Sequence, residues 1–201
     1  MLFNSGEFLF LFLPVVFLIF IYLARTGNTG AQIVWLVVAS IVFYGSWNPI
    51  YLLLMFFSMG MNFGLGRILS RQDKWRRRSI LVFGVTANLA LLAYYKYANF
   101  FVENINAGFG THWDIGNIIL PLAISFYTFT QIAYLVDAWR GEAREYSFMH
   151  YCLFVTFFPH LIAGPLMHHQ EIIPQFAKLR PREELWTDIA VGLTIMAIGM
   201  F

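Results

Sequence analysis

A chain of 201 residues that is 59% hydrophobic and only 12% charged, with a mean hydropathy of +0.65, departs from soluble domains, which are about half apolar and about a quarter charged. So little charge cannot cover the surface of a water-soluble fold, whereas a surface that faces lipid needs none. The net charge of +2, from 13 basic and 11 acidic residues, is small and its basic members cluster beside apolar runs, so membrane lipid rather than nucleic acid is the expected surrounding.

The N-terminal run from Phe8 to Ala24 carries no formal charge, has no basic residue ahead of it and no small-residue cleavage site behind it. That predicts a retained first span over residues 7–24 rather than a signal peptide. The uncharged run from Ala31 to Gly66 is too long for one crossing of roughly 17–25 residues. Gly45-Ser46-Trp47-Asn48-Pro49 in its middle combines turn formers with an interfacial Trp, dividing it into spans at 31–46 and 50–69. A fourth span is predicted at 78–96. Between the third and fourth, Arg67, Arg71, Lys74, Arg76, Arg77 and Arg78 stand against the single acid Asp73. Such a basic loop is expected in the cytoplasm, which places the N-terminus and the 97–115 region outside.

From Lys96 to Gly110, Tyr97, Phe100, Phe101, Ile105 and Phe109 recur at three-to-four spacing, a pattern that predicts a helix lying in the membrane interface. A loop with His112, Trp113 and Asp114 leads to a fifth span at 116–137, with Pro121 near its start where a missing N–H is tolerated. Residues 146–165 are apolar but interrupted by Pro159, Gly164 and Pro165, which predicts a re-entrant or broken helix and leaves the basic residues Lys178, Arg180 and Arg182 cytoplasmic. The last apolar segment begins at Trp186 and continues to Phe201. The expected fold is all-α, a single polytopic transmembrane domain over 1–201 that forms the truncated N-terminal part of a longer protein.

Five histidines are the natural candidates for activating a hydroxyl, because an imidazole pKa near 6.5 lets the ring take a proton at working pH. His160 lies at the Pro159 to Pro165 interruption, where irregular backbone at membrane depth must line a cavity or be buried in protein; a hydrogen-bonded structural histidine in that bend is the weightier expectation. The adjacent His168 and His169 lack carboxylate or cysteine partners at ligand spacing, and no metal is expected. Asp137 is the acid closest to a span interior, and Arg140 can sit beside it on one helical face. A structural ion pair competes there with a functional acid facing a cavity. The basic residues Arg71, Lys74, Arg76, Arg77 and Arg78 could attract an anionic donor, but a topogenic patch facing anionic lipid is the simpler role. Cys152, the sole cysteine, is expected to pack.

Three stretches, read in order, resemble a known family: Lys96-Tyr97-Ala98-Asn99-Phe100, LPLAISFYTFTQIAYLVDAWRG from Leu120 to Gly141, and FFPHLIAGP from Phe157 to Pro165 followed by Pro174-Gln175-Phe176. Together with FNSGEFLFLFLPVVF and SIVFYGSWNP near the N-terminus they are similar to the membrane-bound O-acyltransferases, most closely the bacterial alginate O-acetylation branch. The resemblance implies transfer of an acetyl group from a cytoplasmic thioester, acetyl-CoA or an acyl carrier, through a funnel to a polysaccharide hydroxyl outside the inner membrane, with periplasmic partner proteins. D-alanyl transfer, peptidoglycan or cellulose acylation in the same superfamily, and a membrane transporter, are the alternatives. The family's catalytic histidine has no match in these residues, so the fragment is expected to be inactive alone. The polar stretch Ser125, Tyr127, Thr128, Thr130 and Gln131 sits where the family has funnel-lining helices, which makes Tyr127 and Gln131, with Asp137 and His160, the candidate lining residues.

Overall fold

A computed structural model describes residues 3–71, 74–116, 118–142, 147–161 and 182–200, and among these every regular element is helical. A π-helical turn, Phe8–Phe12, runs into α1 (Leu13–Arg25); α2 (Thr29–Gly45), α3 (Ile50–Arg71), α4 (Lys74–Phe109), α5 (Ile124–Arg140), α6 (Phe148–Thr156), α7 (Phe158–Leu161) and α8 (Arg182–Met200) follow. Three helices, Phe8–Arg25, Ile50–Ser70 and Arg76–Phe109, are long and apolar enough to cross a membrane by length and composition; Thr29–Gly45 and Trp186–Gly199 are shorter apolar helices. The chain is a helical membrane protein.

The N-terminal helices follow their sequence signals. The Leu13 N–H reaches back to the Phe8 carbonyl, a wide turn formed just before Pro14, which has no N–H to contribute. Asn28 caps α2 through its side chain, accepting from Ala31 N at 3.0 Å. Trp35 Nε1 donates to the Val16 carbonyl at 2.9 Å and ties α2 to α1.

Two expectations are corrected by the structure. The stretch 97–110 is helical, but it is the continuation of α4 rather than a separate helix; no proline interrupts it. The resulting helix of 36 residues rises about 54 Å, against about 30 Å for the hydrocarbon layer. The fifth span begins at Ile124 rather than 116. Pro121 favours extended backbone before it, and residues 110–116 and 118–120 lie outside any helix as a strap held by side chains. Asn99 Nδ2 donates to the Ile118 carbonyl at 3.1 Å, Asn106 Nδ2 donates to the Trp113 carbonyl at 2.8 Å, and Tyr51 Oη donates to the Ile119 carbonyl at 2.7 Å.

The expected break near Pro159 falls at Phe157, whose ψ of 107° ends α6. Pro159 cannot continue that helix, because its ring would meet the carbonyl four residues back, yet it fits the first turn of the next. Phe158 packs against Phe12 and Phe43 at ring-centroid distances of 5.3 and 5.6 Å, seating α7 on the N-terminal helices. Gly164, Pro165, His168, His169, Lys178 and Arg180 lie outside the described residues.

Candidate site in the helical bundle

The interior of the bundle is polar where α3, α4 and α5 meet. Ser58 and Asn62 stand one turn apart on α3, Asn88 on α4 and Gln131 on α5, each 1% exposed or less. Asn62 and Asn88 form a reciprocal amide pair: Asn62 Nδ2 donates to Asn88 Oδ1 at 3.1 Å, and Asn88 Nδ2 donates to Asn62 Oδ1 at 2.7 Å. Each amide also donates to a carbonyl one turn back on its own helix, Ser58 O at 2.9 Å and Gly84 O at 2.8 Å. Gln131 Oε1 accepts from Ser58 Oγ at 2.8 Å and from Asn62 Nδ2. In a lipid-embedded bundle such amides bond to other helices because no water competes for them.

The approach of the backbones that makes this possible depends on two glycines. A Cβ on Gly66 of α3 would enter the Tyr134 ring, and one on Gly84 of α4 would lie 2.7 Å from Leu135 Cδ1. Tyr134 is fixed in turn by Tyr151 of α6, the rings lying 4.6 Å apart. Both glycines sit on the faces turned to α5, so that helix reaches α3 and α4 at close range.

Two of the candidate lining residues belong to this interior. Tyr127 and Gln131 are fully buried, four residues apart on the inward face of α5, and Asp137 lies further along the same helix at 3% exposure. His160 is elsewhere, half-buried on α7. Its Nε2 lies 3.2 Å from the Phe154 carbonyl, so that nitrogen carries the proton and donates to a carbonyl in the last turn of α6. Its ring lies 6.1 Å from that of Phe126, beside the first turn of α5. Arg140 is exposed at the end of α5.

The basic residues are not a loop. Arg67 and Arg71 end α3, and Lys74, Arg76, Arg77 and Arg78 open α4. The side chains of Arg71 and Lys74 lie outside the described part, and Arg76 and Arg78 are exposed. Arg77 is half-buried instead: its Nη2 donates to the Ala138 carbonyl at 3.0 Å and to that of Trp139, capping the C-terminal end of α5. Among the described residues no group of three or more His, Cys, Asp or Glu could hold a metal ion.

Ser58, Asn62 and Asn88 were not singled out by the sequence reading, although the signal exists: three amide or hydroxyl side chains inside otherwise apolar spans, two of them four residues apart. Ser40 is a further case. Buried on α2, it accepts from Phe158 N at 3.2 Å and donates to the Leu36 carbonyl at 2.7 Å, supplying from another helix the cap that α7 lacks locally.

No family model and no solved structure matches the chain. It is 39% identical, over all of its own length, to the peptidoglycan O-acetyltransferase of Helicobacter pylori, of which it spans 43%. To the probable alginate O-acetylases AlgI of Pseudomonas aeruginosa and Azotobacter vinelandii it is 38% identical over 88% of its length, spanning 34% and 36% of theirs. The chain thus spans less than half the length of these curated relatives. The chain is thus similar along its length to part of these bacterial O-acetyltransferases, and its all-helical apolar architecture fits the resemblance to the membrane-bound O-acyltransferases.

Proposed function

We propose that these residues form one wall of an enzyme that transfers an acetyl group from a cytoplasmic thioester to hydroxyls of a cell-envelope polysaccharide. The observation that carries the reading is the likeness to O-acetylases along the whole of the chain. The catalytic histidine is contributed by the remainder of the longer protein. Tyr127, Gln131 and Asp137 line the passage along α5, and His160 supports its mouth through the bend between α6 and α7. The donor is acetyl-CoA or an acyl carrier, periplasmic partner proteins complete the pathway, and the protein crosses the inner membrane several times.

The relatives divide over the acceptor, one named for peptidoglycan and several for alginate. Deleting the gene and measuring base-labile acetate on purified exopolysaccharide and on purified peptidoglycan tests the proposal. Loss of acetate from one polymer, restored by the intact gene, is expected and identifies the acceptor. Unchanged acetate on both would refute the reading.

A further inference from the structure

Tyr127 Oη, Thr128 Oγ1 and Gln131 Nε2 are fully buried, and none of the three atoms has a hydrogen-bond partner in the protein. They are neighbours. At about 100° per residue, Gln131 falls about 40° from Tyr127 and about 60° from Thr128 around the helix, one turn further along. The three side chains therefore leave α5 within one sector of about 100° over its first two turns. Their surroundings do not explain them: Thr130, nearby on the same helix, donates back to the Phe126 carbonyl at 3.0 Å, as a Thr in a lipid-embedded helix ordinarily does. Gln131 is held by its carbonyl oxygen, which accepts from Ser58 and Asn62, so its amide protons are turned away from the α3 cluster. The patch presents three neutral donors and no charge. That composition suits a neutral oxygen acceptor and discriminates against an anion, which would require a compensating cation.

We propose that Tyr127, Thr128 and Gln131 form a subsite for the carbonyl oxygen of an acyl ester or thioester. The assignment rests on the acyl-transfer reading for the identity of the guest; the donor geometry stands without it. Donors left unpartnered in an apolar interior destabilise the unliganded protein, and a passing carbonyl is bound by relieving that cost.

This logic makes an opposed pair of effects measurable in the full-length protein with shape-preserving variants, Tyr127→Phe, Thr128→Val and Gln131→Leu. Unliganded, Tyr127→Phe and Thr128→Val are expected to melt at higher temperature than the parent, because each removes a buried group without a partner. With acetyl-CoA as the probe donor, each of the three is expected to raise KM by roughly two- to tenfold, the worth of one neutral hydrogen bond, with a smaller change in kcat. Higher melting temperature with unchanged KM would overturn the subsite, as would lower melting temperature, which would mean that the groups already have partners. If the parent protein transfers no acyl group at all, the functional reading fails first, and that result is distinguishable because the melting comparison needs no turnover.

Discussion

Ala123 is the only non-glycine among the described residues with positive φ, at φ 56° and ψ 15°. It turns the strap into α5, and its carbonyl accepts from Phe126 N at 2.9 Å and Tyr127 N at 3.0 Å. A left-handed conformation costs a side-chain-bearing residue about 1–2 kcal/mol, partly offset on substitution by the extra backbone freedom of glycine, about 0.5–1 kcal/mol. Ala123→Gly is therefore expected to stabilise the protein by up to about 1 kcal/mol, read as a rise in melting temperature in detergent; a fall would show that the αL geometry is not strained. His160 illustrates the other kind of residue, one whose hydrogen-bonded place in a bend is legible but whose partner is not. Its position beside Pro159 marked it in the sequence, whereas the Phe154 carbonyl that it satisfies depends on where α6 ends. His160→Gln keeps an N–H donor and is expected to melt within a few degrees of the parent. His160→Leu removes that donor and is expected to cost about 1 kcal/mol, the net worth of one such hydrogen bond. Equal melting of the two would remove the hydrogen bond from the account.

At the scale of elements, helices α3, α4 and α5 are joined by small residues and amides in addition to apolar surface, which lipid would satisfy equally well. Gly66 and Gly84 separate two versions of this packing. A Cβ at Gly84 meets methyl ends, Leu135 Cδ1 at 2.7 Å and Leu65 Cδ1 at 3.2 Å, which can rotate away. At Gly66 it meets a ring that is itself packed against Tyr151. Gly66→Ala is thus expected to destabilise by about 1–3 kcal/mol and Gly84→Ala by distinctly less, with unfolding in detergent as the measurement; the reverse order would mean that Tyr134 is mobile. Most elements were legible in the sequence because the run of uncharged residues sets helix length and Gly45 to Pro49 mark the break between α2 and α3. What was not legible depended on long-range partners. The amphipathic pattern at 97–110 cannot distinguish an independent interfacial helix from the end of α4. The start of α5 falls later than its uncharged run suggests because Asn99 and Tyr51, 19 and 68 residues from their partners, help to hold the preceding strap out of the helix. The polar stretch on α5 was visible, but its partners Ser58 and Asn62 are 73 and 69 residues away.

At the scale of the whole molecule, the direction of crossing follows from charge and from one contact. The sequence places Arg76 to Arg78 in the cytoplasm because positive residues resist translocation. In the structure Arg77 donates to the Ala138 and Trp139 carbonyls, which brings the start of α4 and the end of α5 to one end of the bundle, so Arg140 must share that compartment. The strap between α4 and α5 lies at the far end of helix α4. With about 54 Å of helix to fit through about 30 Å of hydrocarbon, the exposed Tyr97, Phe100, Phe101 and Trp113 are expected at or beyond the outer interface. Reporters inserted after Lys74 and after Glu142 are expected to give the same cytoplasmic signal, and one after Asp114 the periplasmic signal. If the first two disagree, the Arg77 contact is wrong. If all three are reversed together, the contact stands and the orientation drawn from the basic cluster fails.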